Sequence, residues 1–242
     1  MWQILKKEIN SFFNSLVAYL VVVVFLIGTG LISWVFPQTS ILEAGFANLD
    51  PLFTTAPYVF MFLVPAITMR SLAEEKKGGT IELLLTRPLT DLQIILGKYL
   101  ACLLLAFFAL VPTLVYYYTV IQLGSPVSNI DHAATWGSYL GLVLLAAVFT
   151  AIGIFSSSLT DNQIVAFITA FFLSFFLYDG FSALGSVNVW SAYTYYISQA
   201  GIDYHYASVS RGLIDLRNIF YFFTLIATLL YLTRLVLQSR KW

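Results

Sequence analysis

The chain has 242 residues, 60% of them hydrophobic and 10% charged, with a formal net charge of zero. A soluble domain carries about 25% charged residues because its surface needs polar cover, so this composition excludes an ordinary soluble globule. Zero net charge leaves no basic footprint for nucleic acid, and the single cysteine, Cys102, excludes an internal disulfide and argues against a thiolate metal site.

A helix that crosses a bilayer needs about 20 mostly apolar residues. Before the first such run, Leu5, Ile9, Phe12, Phe13 and Leu16 recur at helical spacing, with Lys6, Lys7, Asn10 and Asn14 on other faces. Residues 2–15 therefore read as an amphipathic helix lying in the membrane interface. The alternative is an extension of the first span, which the polar stripe suits poorly. Residues 16–36 are uncharged and form the first span; the run is too long for the apolar region of a cleavable leader and lacks a small-residue cleavage pattern. Residues 52–69 follow, with Pro57 and Pro65 inside, then 99–123, with Pro112. The fourth span is 136–159. The fifth, 164–178, is short and draws Asn162 and Gln163 into its start. The sixth is 218–237, with Arg234 near its end where a long side chain can snorkel.

Lys and Arg set the orientation. With six spans, one side holds Lys6, Lys7, Arg70, Lys76, Lys77, Arg87, Lys98, Arg234, Arg240 and Lys241, and the other only Arg211 and Arg217. Ten against two places both termini and the 70–98 loop in the cytoplasm.

Between the fifth and sixth spans, residues 180–217 mix aromatics with Ser, Gly and a few charges. Trp190, Tyr193 and Tyr196 suit a membrane–water boundary. The stretch reads either as short helices capping the bundle on the outside or as a surface loop with interface aromatics. Arg211 and Asp215, four apart, would support one helical turn in such a cap.

The crowded stretch "EEKKGGTIELLLTRP", residues 74–88, interrupts the apolar pattern. Gly78 and Gly79 break any helix continuing from the second span. Thr80 can cap a new helix, Glu82 sits in its first turn, and Leu83, Leu84 and Leu85 form an apolar knob. Pro88 stops it, and Thr90 with Gln93 has the spacing of a capping box for the next helix. The residues alone leave two readings: a stiff knob gripped by a soluble partner, or a charged loop whose leucines dip into the lipid interface.

The stretch "MRSLAEEKKGGTIELLLTRPLTDLQIILGKYLA", residues 69–101, resembles the cytoplasmic signature of ABC-2 type transporter permeases. That signature runs from an acidic pair through Gly-Thr-x-Glu-x-Leu-Leu and a proline to Gly-Lys at the next span. Glu74, Glu75, Gly79, Thr80, Glu82, Leu84, Leu85, Pro88, Gly97 and Lys98 match it. The resemblance implies that Glu74, Glu75, Gly79, Thr80, Glu82, Leu83, Leu84, Leu85 and Pro88 couple to a cytoplasmic ATPase. "SSSLTDNQIVAF", residues 156–167, resembles the family's second cytoplasmic turn, implying a second contact at Leu159, Thr160, Asp161 and Asn162. "FMFLVPAITMRSLAEEKKGGTIELLLTRPLTDLQIILGKYL" and "DYHYASVSRGLIDLRNIFYF" further resemble the GldF-type gliding-motility permeases of Bacteroidota. That narrower resemblance implies a GldA-like ATPase, a GldG-like second membrane subunit with an extracytoplasmic domain or a second permease copy, and a bacterial inner membrane. It implies a role in gliding motility or surface secretion and names no cargo.

No ATP site is expected in this chain. Gly97-Lys98-Tyr99 looks superficially like the end of a phosphate loop, but Leu92 stands where its first glycine belongs and Tyr99 where Ser or Thr belongs. ATP and magnesium are expected on the partner. His132 and His205 lack a second ligand at metal spacing, so no metal site and no catalytic residue is expected. Gly137 and Gly141 form GxxxG in the fourth span, a weak packing signal. Ser33, Thr54, Thr55, Thr150, Ser156, Ser157, Thr169 and Ser174 would either line a route or bond nearby carbonyls.

The expected architecture is an all-α integral membrane protein forming one domain over 1–242. It has six transmembrane helices, an interfacial helix over 2–15, a cytoplasmic coupling segment over 70–98 and an outer cap over 180–217. The favoured function is a permease subunit driven by a partner ATPase. The alternatives are a non-transporting scaffold that docks an ATPase, or an ABC-2 permease with another role, such as metal, ion or maturation-factor transport.

Overall fold

The protein is described by a computed structural model covering residues 1–80, 90–186, 193–213 and 215–239. The described residues are helix and connecting turn, with no strand among them. Six helices are long and apolar enough to cross a membrane: Leu16–Val35, Asp50–Lys77, Asp91–Leu123, His132–Leu159, Gln163–Gly185 and Leu216–Gln238. Six crossings put residues 1–15 and 239 on one side, here the terminal side, together with residues 70–80, 90–98 and the 159–162 turn. The loops 36–49 and 124–131 and residues 180–186, 193–213 and 215–217 lie on the far side.

The first helix, α1 (Trp2–Phe13), is separate from α2 (Leu16–Gly30). Ser15 makes the break: its hydroxyl donates to Phe12 O at 2.9 Å and accepts from Val17 N at 3.4 Å. The span-extension alternative is therefore not what forms. Ile4, Leu5 and Phe12 are buried, so α1 is packed down and does not simply float in the interface.

The second span is longer than its apolar run. Helix α3 (Asp50–Thr68) breaks at Met69 and resumes as α4 (Arg70–Lys77), which ends at Gly78 and at Gly79, whose φ is 66°. A φ of that sign suits glycine, so the pair stops the helix as its sequence indicates. The third span begins earlier than its hydropathy suggests, at Asp91, because the Thr90 capping box holds. Thr90 Oγ1 accepts from Gln93 N at 3.3 Å, and Gln93 Oε1 accepts from Thr90 N at 3.2 Å. It runs as α5 (Asp91–Leu110), one 3-10 turn at Val111–Thr113 around Pro112, and α6 (Leu114–Leu123).

Helix α7 (His132–Leu159) is the hub. Of its apolar window, 78% is buried, against 28% for the first span, 22% for the fifth and 28% for the sixth. Around it pack α3, α5, α8 (Gln163–Phe175) and α12 (Leu216–Gln238). Most hydroxyls on the spans satisfy themselves: Thr54, Thr150 and Thr169 each donate to the carbonyl four residues back. Ser33, Ser156 and Ser174 are buried without a hydrogen-bond partner among the described residues.

On the far side, a π-turn at Phe176–Gly180 carries α8 into α9 (Phe181–Gly185), followed by α10 (Thr194–Ser198) and α11 (Ile202–Val209). Helix α11 lies on the bundle. Ile202, Tyr206 and Val209 are buried, Tyr206 Oη donates to Phe53 O at 2.7 Å, and Ser138 Oγ donates to Ser210 O at 2.5 Å. The glycines at 137 and 141 are what admit it. A Cβ on Gly137 would meet Gly212 Cα at 2.8 Å, and one on Gly141 would meet Tyr206 and Val209 at 3.3 Å. The GxxxG pair thus receives the cap. Tyr193 and Tyr196 are exposed at 59% and 70%, and Trp190 lies outside the described residues. The Arg211–Asp215 turn does not form. Gly212 at φ 77° ends the helical path, and Asp215 instead caps α12 by accepting from Arg217 N at 2.9 Å.

Spans two and four approach closely at Gly153. A Cβ on Gly153 would sit 2.7 Å from Thr68 Cβ, a clash that no side-chain rotation removes. Gly153→Ala is expected to destabilise the protein by about 1–3 kcal/mol. Gly28→Ala, whose Cβ would meet Val59 at an ordinary 3.5 Å, should be close to neutral. Unfolding midpoints in detergent compare the two.

Candidate functional site

The terminal side of the bundle is organised around the start of α4. A helix begins with amide groups that have no partner within it. Here a side chain from another span supplies one. Ser157 Oγ, on α7, accepts from Leu72 N and Ala73 N at 3.0 Å each and donates to Met69 O at 3.0 Å. The break between α3 and α4 is thereby capped from span four. At the other end of α4, Lys76 Nζ donates to Ser158 O, in the last turn of α7. That places an ammonium on a helix C-terminus, where the last carbonyls lack partners.

The second anchor is Lys98. It lies two turns into α5, is 2% exposed, and reaches back toward the terminal side. Its ammonium meets Ser71 O at 2.7 Å, Glu75 Oε1 at 2.8 Å and Glu8 Oε1 at 3.0 Å. An ammonium has three hydrogens, so its donors are fully used. One partner comes from α1 and two come from α4. Gly97 makes the approach of α1 feasible, because a Cβ there would stand 3.0 Å from Ile4 Cγ2 and 3.3 Å from Met1 O. Two carboxylates thus share one buried cation. Lys7 adds a second positive charge at 3.7 Å from Glu75 and 3.9 Å from Glu8, but its side chain is 66% exposed and its contribution is small.

Burying charges is costly, and a cluster of this kind holds only while all partners remain. Beside it lies a cavity of about 250 Å³, bordered by Glu75, Ser71, Arg70 and Lys7. Glu75 Oε2 and Ser71 Oγ are buried next to it without a partner among the described residues.

The structure sorts the sequence-derived candidates. Glu74 is exposed, whereas Glu75 is turned inward onto Lys98. Gly79 and Thr80 are exposed at the tip of α4, with Thr80 Oγ1 donating to Glu75 O at 3.4 Å. Glu82, Leu83, Leu84, Leu85 and Pro88 lie outside the described residues. In the second turn, Leu159, Asp161 and Asn162 are exposed. Thr160 Oγ1 accepts from Asn162 N at 3.1 Å and Asn162 Oδ1 caps α8 through Ile164 N at 2.9 Å. The Lys76–Ser158 and Ser157 bonds bring this turn beside α4.

Lys98, which the sequence places among the loop charges that set orientation, is a buried structural cation inside a helix. Glu8, Ser71 and Ser157 carried no separate sequence expectation of this role. The available signal was the signature's own spacing, since the second acid of its pair and its Gly-Lys meet in space. The histidines make local contacts. His132 bonds Tyr117 Oη at 2.5 Å and Ser128 Oγ at 3.1 Å, and His205 stacks on Tyr221 at 3.9 Å while contacting Asn218 Oδ1 and Gln199 O.

A family model described as ABC-2 family transporter protein matches residues 2–240. No curated protein matches the chain significantly.

Lys98→Met keeps the length of the side chain and leaves two carboxylates facing each other with only the exposed Lys7 as a cation. The expected loss is about 3–5 kcal/mol of stability. Adding Glu8→Gln and Glu75→Gln should return most of it, because no orphaned charge then remains. Ser157→Ala should cost about 1–3 kcal/mol through two uncapped buried amides. Denaturation midpoints in detergent give these values, and equal midpoints for the single and triple Lys98 variants would contradict the ionic assignment.

Proposed function

This chain belongs to the ABC-2 family of transporter proteins, membrane permease subunits of ATP-binding-cassette transporters, and on that premise we propose that residues 70–98 pass the motion of a partner ATPase to its spans. The observation that carries the proposal is the double anchoring of α4. Ser157 ties its start to span four, and Lys98 ties it to span three and to α1. A displacement at the tip of α4 is then borne by packed helices and ion pairs, not absorbed in a slack loop. Residues 81–89, next in the chain, supply the contact in this reading, with Glu82 for the rim of a groove and Leu83, Leu84 and Leu85 for its apolar floor. The 159–162 turn, beside α4, forms the second contact.

In this reading the terminal side faces the cytoplasm of a bacterial inner membrane. ATP and magnesium are held by the partner, a GldA-like ATPase. The permease pairs with a GldG-like membrane subunit or a second copy of itself, and the assembly serves gliding motility or surface secretion. The positive-inside excess and the two signature stretches support these assignments.

Topology is tested by single cysteines at Lys77 and at Glu43 in a Cys102→Ala background, positions on opposite sides of the bundle and both exposed. A membrane-impermeant reagent applied outside should label the Glu43 site only; labelling of both would overturn the orientation.

Coupling is tested by Glu82→Lys and Leu84→Asp. The first changes helix stability by only about 0.3–1 kcal/mol but sets a like charge against the partner at a cost of several kcal/mol. The second puts a carboxylate into an apolar groove. Both variants should insert normally yet fail to retain the ATPase or stimulate its turnover in nanodiscs, with Lys6→Ala behaving as wild type. Wild-type retention and turnover in both would remove the coupling role.

A further inference from the structure

The far side of the bundle carries a second polar site, separate from the coupling face. A cavity of about 380 Å³ opens between the outer end of α3, the π-turn of span five and α11. Its walls are aromatic. Tyr58 and Tyr178 meet edge to face at 5.9 Å and 75°, and Tyr178 meets Tyr206 at 6.2 Å and 51°. Phe53 completes the wall, and the Tyr206 hydroxyl is fixed on its carbonyl at 2.7 Å.

Into this aromatic wall α11 brings Asp203. The carboxylate is half-buried and lines the same cavity as Tyr178. Burial pushes its carboxyl above the usual carboxylate range. Asp179 lies next to Tyr178 in the π-turn, which packs against α11. Among the described residues neither carboxylate forms an ion pair; the ion pairs there belong to Lys7 and Lys98 on the opposite face. Asp50 and Arg211 sit at the rim, both exposed, and Arg211 makes no ion pair with Asp203.

Two neighbouring, partly desolvated carboxylates without a counter-ion lack a cation. A hard metal ion would ask for six or more oxygen ligands, and no cluster of metal-ligating side chains occurs among the described residues. Tyrosine faces attract organic cations through their quadrupole, most strongly where water is excluded. We propose that this cavity binds an alkylammonium group presented from the far side of the membrane, with Asp203 as its counter-ion and Tyr58 and Tyr178 as its aromatic walls. The group comes either from a free small amine or from an ethanolamine lipid headgroup. In the second case Arg211, at the rim, meets the attached phosphate. The site is independent of the coupling proposal, since binding on the far side needs no ATPase.

The test uses the full chain in nanodiscs of phosphatidylglycerol alone, titrated calorimetrically with ethanolamine. Saturable binding is expected, weakened by about tenfold or more in both Asp203→Asn and Tyr58→Ala, since each removes a direct contact with the cation. Asp203→Asn keeps the shape of the side chain, and Tyr58 is 53% exposed, so neither change empties the core. A second arm measures retention of phosphatidylethanolamine by native mass spectrometry from mixed-lipid discs. A free-amine site binds ethanolamine equally well in Arg211→Ala and shows no lipid preference. A headgroup site retains phosphatidylethanolamine over phosphatidylglycerol and loses that preference in Arg211→Ala. The proposal is overturned by absence of both saturable ethanolamine binding and lipid preference, or by binding that is unchanged in Asp203→Asn and Tyr58→Ala.

Discussion

One ammonium group holds the terminal side of this protein together. Lys98 stands almost dry within a transmembrane helix, and its charge is tolerable only because Glu8, Glu75 and a backbone carbonyl surround it. Those partners come from two other elements. The position of α1 on span three and the direction in which α4 leaves span two are therefore set by one desolvated charge. Gly97 beside it removes the side chain that would keep α1 away. The Gly-Lys pair of the signature acquires a physical meaning: room for one helix, then charge for two.

The arrangement makes α4 part of the bundle. Its start is capped by Ser157 from span four, its middle is ion-paired to span three, and Lys76 closes it onto the end of span four. Spans two, three and four meet there, and span four is the most buried helix of the six. A ligand can shift a protein only through groups whose interactions differ between its states. A cluster that loses several kcal/mol when one partner leaves has the discrete character such a switch requires. The far side is built differently. There α11 is laid against the glycine face of span four, and its charged groups line an open cavity in place of a closed cluster.

Much of this was legible in the sequence, for identifiable reasons. Hydropathy sums over about 20 residues, so the six spans survive errors at their edges. Capping depends on near neighbours, so Thr90 with Gln93 and the Gly78–Gly79 stop were readable locally. Lys98 was not. A lysine near the end of an apolar run looks the same whether it snorkels or is paired, and its partner Glu8 is 90 residues away. The role of Gly137 and Gly141 was hidden likewise, because the spacing of two glycines shows a close approach without saying what approaches. Arg211 and Asp215 have helical spacing, but Gly212 between them takes a left-handed turn.

The central claim is that the buried lysine keeps α1 and α4 in one fixed relation. Spin labels at Lys6 and Lys77, both exposed, placed in a Cys102→Ala chain in nanodiscs, report the distance between the two helices by pulsed electron resonance. A single narrow distribution is predicted for the parent, and a broad one for Lys98→Met. Identical narrow distributions in both would show that the helices are held by apolar packing alone and would contradict the account.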